Sequence, residues 1–199
     1  MDLACDYLLK GMRAMVRLRS LRWDDIEAVH ALVSSMDVVR HMRFPVSSRA
    51  ESEKFLRDSI LESPSDPWRS IVRAIGDSSS GTLVGLCGVV ILRGAEEGEI
   101  WYLVAPDSWG RGVATEATTQ LLDFGFRELG LHRIWATCLP ENPASVHVLE
   151  KAGMRREGFL IKNLKIHGVW KSSFLYAMLT EEWNSAASPR ASEAGPVGA

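Results

Sequence analysis

Trp109-Gly110-Arg111-Gly112-Val113-Ala114-Thr115 is the stretch from which the rest of the chain is read. It follows a strand-like segment, residues 99–105, that Pro106 closes. It opens a segment, 112–129, with Ala114, Ala117, Leu121 and Phe124 at helical steps of three, four and three. Amides at a helix start have no intrahelical acceptor, and the helix dipole adds partial positive charge, so a turn of this kind can hold a diphosphate. Glycine lets such a ligand come close to the backbone. A nucleoside-triphosphate loop needs Gly-Lys-Ser or Gly-Lys-Thr, and no Lys follows Gly112. A dinucleotide loop wants a third glycine where Thr115 stands, within a strand-helix-strand unit near the chain start rather than after a hairpin.

Working outward, residues 15–21 alternate in the period of a half-buried strand. Asp24 or Asp25 can cap a helix carrying Ile26, Val29 and Val33, and Ser48 with Glu51 forms the capping box of a second helix. Between them, residues 36–47 read as a loop whose Arg40-His41-Met42-Arg43-Phe44-Pro45 can project into a cleft. Segments 68–75 and 82–92 flank Gly76-Asp77-Ser78-Ser79-Ser80-Gly81 as an antiparallel hairpin. A strand at 132–139 precedes a helix bracketed by Asn142, Pro143 and Gly153, with Val146 and Leu149 inward. Two strands, 154–166 and 169–180, meet at His167-Gly168. The order predicts an α/β fold, mixed α+β, with helices on both faces of a mixed sheet. From Asn184 onward Ala, Ser, Pro and Gly dominate, which reads as a disordered tail (184–199). Residues 1–14 read as an N-terminal extension, either a short helix or sequence upstream of a start at Met12 or Met15.

The 199 residues fit one domain, and 46% hydrophobic with 24% charged residues matches ordinary globular proteins. A chain of this length buries about 70% of its unfolded surface and needs no disulfide or metal to fold. A net charge of -2 without a basic run argues against nucleic acid as a partner. The longest apolar or glycine run, residues 83–92, is far short of the roughly 20 a membrane span requires, and the first residues do not resemble a secretory leader. A cytoplasmic protein, monomer or homodimer, is expected. Cys5, Cys87 and Cys138 form no Cys-x-x-Cys pair, and the five histidines show no His-x-x-x-His spacing, so no metal site is expected.

The 109–115 stretch resembles the phosphate loop of the GNAT superfamily of N-acetyltransferases, whose pattern is Gln or Arg, two variable residues, Gly, one variable residue, then Gly or Ala. Gly112-Val113-Ala114 matches its second half, and Trp109 replaces the Gln or Arg. That replacement, with Arg111 to Ala117, resembles the branch of ribosomal-protein N-terminal acetyltransferases (Rim-type), as do Asn142, Ser145, Glu150-Lys151, Gly153 and Glu157-Gly158 downstream. The resemblance covers about residues 15–183. It implies a sheet splayed between its fourth and fifth strands, with acetyl-CoA as cosubstrate. The coenzyme's pantetheine would bond the backbone near Leu103 and Val104, and its phosphates would lie against Trp109, Gly110, Arg111, Gly112, Val113, Ala114 and Thr115. Asn142 and Lys151 would add contacts, and the thioester would face Trp101, Tyr102 and Asn142.

Direct attack of an amine through a tetrahedral intermediate needs a neutral nucleophile, an oxyanion donor and a proton for the thiolate. The resemblance places a general base at Glu99 and a hydrogen-bond donor to the departing sulfur at Ser145; Asn142 is the helix N-cap and a third candidate. Leu164 stands where some Rim-type enzymes keep a glutamate. A protein α-amine, with a pKa of about 7.7, is roughly one-sixth neutral at pH 7, against about one in 2,500 for a lysine near 10.4. The expected acceptor is therefore a protein N-terminal α-amine. The alternatives are a small amine, such as a polyamine, amino acid or antibiotic, and a non-catalytic acyl-CoA sensor. Among the tryptophans, Trp135 and Trp170 are expected to pack, and Trp101 and Trp109 to flank the cleft.

Overall fold

A computed structural model describes residues 14–44, 46–61, 68–92 and 94–187. The elements are β1 (Val16–Arg19), α1 (Ile26–Val33), α2 (Met36–Val39), α3 (Arg49–Leu61), β2 (Trp68–Asp77), β3 (Leu83–Leu92), β4 (Glu97–Val104), α4 (Val113–Asp123), β5 (Arg133–Cys138), α5 (Pro143–Lys151), β6 (Arg155–Ile166), β7 (Val169–Leu179) and α6 (Thr180–Ala187). They build a mixed α/β fold on a seven-stranded sheet ordered β1-β2-β3-β4-β5-β7-β6. Among the described residues every adjacent pair is antiparallel except β4 with β5.

That parallel pair joins over Glu97↔Arg133, Gly98↔Ile134 and Glu99↔Trp135 and then ends, although β4 continues to Val104 and β5 to Cys138. On their outer edges both strands stay paired, β4 with β3 and β5 with β7. The sheet is thus split from Glu99 onward, as the family resemblance implied.

Central strands read apolar on both faces because both are covered. Ile71, Ile75, Cys87 and Val89 pack with Ala117, Leu121 and Leu122 of α4 and Leu149 of α5, while Val72, Ala74 and Leu86 pack with Val29 and Val33 of α1 and Leu56 of α3. Both free sheet edges are managed. Against β1, Glu116 of α4 accepts from the Met15 and Val16 amides (3.2 and 3.4 Å). Gln120 accepts from Leu18 N–H (3.1 Å) and donates to Val16 O (2.8 Å). Edge strand β6 carries two register shifts and a left-handed residue, Lys162 (φ 46°), which bend it away from regular pairing.

Several expectations are corrected. The loop expected at residues 36–47 begins with a helical turn, α2, because Arg40 N–H closes onto Met36 O (2.9 Å). Asp25 occupies the N-cap of α1 without capping through its side chain. Its carboxylate instead accepts from Arg22 N–H (2.8 Å) and both Arg19 guanidinium nitrogens (2.8 and 2.7 Å). The helix at 112–129 changes to a π-helical turn over Phe124–Glu128. The tail expected from Asn184 is helical through Ala187, since Trp183 is buried with its ring 6.1 Å from Phe126 and Glu182 accepts from Leu179 N–H (2.8 Å). The extension call at 1–14 falls, apart from residue 14, outside the described residues, as does the tail at 188–199. Trp170 does not pack. It is 56% exposed, on the part of the β6–β7 hairpin that extends past the end of β5. The capping box is present, with Ser48 N–H donating to Glu51 (2.7 Å) and Glu51 N–H to Ser48 Oγ (3.3 Å).

Gly88 lets β3 sit under Trp101. A Cβ there would stand 2.8 Å from Ile71 O and 2.9 Å from the Trp101 ring. Gly88→Ala is therefore expected to destabilise the protein by about 1–3 kcal/mol, read as a lower urea midpoint with an unchanged slope.

Candidate active site

The split between β4 and β5 opens a cleft of about 480 Å³. Its walls are β4 and β5, its floor continues into the start of α4 and along α5, and the α2 region covers the opposite end. Leu164 of β6 also reaches it.

At the α4 end of the cleft the chain turns through two left-handed glycines, Gly110 (φ 72°) and Gly112 (φ 85°). Gly112 is the N-cap of α4 and contributes no capping side chain. The first helical amide bond is Glu116 N–H to Gly112 O (3.0 Å), so the amides of Val113, Ala114 and Thr115 have no helical acceptor. Gly110, Gly112, Val113, Ala114 and Thr115 line the cleft; Arg111 is exposed and does not. Three unpaired amides on a dipole N-terminus fit a diphosphate.

Trp109, standing where the family pattern has Gln or Arg, has a structural task. Its indole N–H donates to Val104 O (2.7 Å), tying the turn to the end of β4. Ala105 N–H bonds Val84 O (2.8 Å), and the Leu103 carbonyl lies against Gly85 of β3. By the alternation of a strand, Tyr102 and Val104 then direct their backbone groups toward the gap and Leu103 does not. The expectation for Leu103 is corrected accordingly: its side chain belongs to the core under α1 and α3.

Asn142 and Lys151 bracket α5, roughly 13 Å apart along a nine-residue helix, and both line the cleft. Asn142 caps α5 by accepting Ser145 N–H at Oδ1 (3.2 Å), with Pro143 at the first helical position. The Ser145 hydroxyl lies 2.9 Å from Tyr102 Oη across the cleft, and Tyr102 also reaches Ser145 O (3.3 Å). Burial raises the Tyr102 pKa above its ordinary value, against the lowering influence of the Ser145 contact, so the phenol stays a neutral hydroxyl at pH 7.

Glu99 is the last residue of β4 paired with β5, its side chain 15% exposed. Arg43 forms an ion pair with it, and Thr137 of β5 donates to the same carboxylate oxygen (3.4 Å). Cys138 lines the cleft as a buried thiol that burial pushes up to about 11, which keeps it un-ionised; Cys87, pushed up to about 12, lies in the core.

The structure thus brings Glu99, Asn142, Ser145, Lys151, Trp109, Leu103, Val104 and the 110–115 turn around one cleft, with Arg111 staying outside. Sequence reading left three features unassigned: the Arg43–Glu99 pair, Thr137 beside it, and the Tyr102–Ser145 contact. Only the basic character of the 40–43 segment pointed to the first.

Residues 15–155 match the model of the acetyltransferase (GNAT) domain. The chain belongs to this family. It is 32% identical over 167 residues to the uncharacterized N-acetyltransferase YnaD of Bacillus subtilis, covering 84% of this chain and 95% of the relative. A crystal structure of a GNAT-family acetyltransferase from Bacillus anthracis superposes with a TM-score of 0.76 at 31% identity, over 86% of this chain and 99% of the other. Spermidine N-acetyltransferase from Vibrio cholerae, solved with CoA and spermine, superposes with a TM-score of 0.74 at 25% identity, over 86% and 99%. The chain is an acetyl-CoA-dependent N-acetyltransferase, and the sensor alternative is set aside. Among the described residues no helix is long and apolar enough to cross a membrane.

Two substitutions test the site's construction. Trp109→Phe removes one hydrogen bond, about 1 kcal/mol, and is expected to weaken acetyl-CoA binding roughly five-fold in calorimetry. Asn142→Ala is expected to cost about 1 kcal/mol of unfolding free energy through the lost cap, measured in urea.

Proposed function

We propose that this acetyltransferase acts on the α-amine of a protein N-terminus, as in the Rim-type branch its motifs resemble, through a domain spanning residues 15–183. The supporting observation is the economy of carboxylates. Among the described residues the carboxylates that line the cleft are Asp37 and Glu99; Asp37 lies exposed on the first turn of α2, and Glu99 is already paired with Arg43. Such a site has a single inward proton acceptor, itself already paired, and offers a polycation few partners. It suits an amine that is already partly neutral at pH 7.

In this reading the acceptor nitrogen approaches Glu99, whose carboxylate takes the ammonium proton once Arg43 withdraws. The Tyr102 and Ser145 hydroxyls face the departing sulfur as neutral donors, Asn142 orients Ser145 by capping α5, and the amides of Val113, Ala114 and Thr115 hold the diphosphate, with Lys151 at the far end of α5. The acetyl group passes from sulfur to nitrogen, and the nitrogen loses two protons: the first goes to Glu99 before attack and on to solvent, and the second, lost from the tetrahedral intermediate, balances the one gained by the thiolate.

The small-amine reading is favoured by the likeness to the spermidine acetyltransferase solved with spermine. Mass spectrometry on a panel of free N-terminal peptides, N-blocked lysine peptides and spermidine separates the two. Acetylation of the free N-termini alone is expected; turnover of spermidine without peptide product would overturn the proposal. Glu99→Gln is expected to lower kcat about 100-fold or more on the preferred acceptor, and an unchanged rate would remove Glu99 from the chemistry.

A further inference from the structure

Arg43 holds the place that a cationic acceptor must take. Its guanidinium sits on Glu99, yet its side chain is 54% exposed, so it can swing out when another cation arrives. Three residues earlier, Arg40 is exposed, lines the same cleft, and makes no side-chain hydrogen bond or ion pair among the described residues. His41 lies between them, half-buried; burial and the Arg40 charge lower its pKa, so it adds little positive charge at pH 7. Nearby Lys171 is neutralised by Glu141 (2.9 Å).

An amine that displaces Arg43 leaves a guanidinium without its counter-ion in the same cleft as a second that has none among the described residues. An acceptor bearing a carboxylate close to its amine repairs this by exchanging partners: its ammonium takes Glu99, and its carboxylate takes Arg43 and Arg40. A polyamine does the reverse, presenting a further ammonium to two arginines.

We infer that the acceptor carries an anionic group within a few bonds of the amine, read by Arg43 and Arg40. The class is an N-terminal peptide with Asp or Glu at its first or second position. This rests on the α-amine reading above, and the shared chemistry, an amine beside a carboxylate, also occurs in free acidic amino acids.

The test measures kcat/KM for matched peptides with Glu, Ala or Lys at position two, for free aspartate, and for spermidine, in the native enzyme and in Arg40→Gln and Arg43→Gln. Acetyl-CoA affinity and circular dichroism verify that each variant is folded. The acidic peptide is expected to exceed the alanine peptide at least ten-fold, through KM, and each variant to shrink that ratio several-fold. Equal rates for the three peptides, or a ratio that survives both substitutions, overturn this inference and leave the α-amine reading intact. Free aspartate turned over faster than every peptide keeps the partner exchange and overturns the chain-end acceptor. Turnover of spermidine alone, or of none of the α-amines, overturns both.

Discussion

Two neighbouring strands that pair for three residues and then part leave a problem that the rest of this molecule answers. Each backbone amide and carbonyl withdrawn from a sheet needs another partner or water. Past Glu99 the gap-facing groups of β4 and β5 have no strand between them, although both remain fastened on their outer edges. A cleft held open in this way costs little to keep, because its walls are two halves of one sheet with a helix-packed core on each face. A cosubstrate with an extended, amide-bearing arm is the kind of molecule that completes such a sheet.

The ends of the cleft are specialised by charge and by backbone. At one end, left-handed Gly110 and Gly112 deliver the start of α4 with its amides unpaired, and Trp109 anchors the turn to Val104. Immediately after those amides, Glu116 belongs to the same motif and pairs the exposed edge of β1, so one short sequence both forms the turn and closes the sheet edge. At the other end, Glu99 is the fulcrum. It terminates the pairing of β4 with β5 and also carries the carboxylate that Arg43 occupies, so the opening of the sheet and the ion pair share one residue.

How far the sequence disclosed this depends on the range of the interactions. Periodicity revealed α4, α5 and the β2–β3 hairpin because each buries a regular apolar face, and Asn142-Pro143 revealed a helix start because the cap is local. The one-turn α2 and the C-terminal α6 give no periodic signal: the first is too short, and the second depends on Trp183 docking on Phe126 and on Glu182 accepting from Leu179 N–H. The π-helical turn at Phe124–Glu128 keeps an apolar pattern that also fits an α-helix. In the site, the phosphate turn was legible as glycine spacing, whereas Arg43 with Glu99 and Tyr102 with Ser145 lie 56 and 43 residues apart and meet only through the topology. Which way a strand residue directs its backbone is likewise set by register, and the register turns the Leu103 backbone toward β3 rather than the gap.

The most direct test of the central claim is amide hydrogen exchange followed with and without acetyl-CoA. Binding in the sheet split, with the diphosphate on the start of α4, predicts marked slowing at Val113, Ala114 and Thr115 together with Tyr102 and Val104, and little change in β2. Saturating acetyl-CoA that leaves those amides exchanging as before, while protecting residues elsewhere, would contradict it.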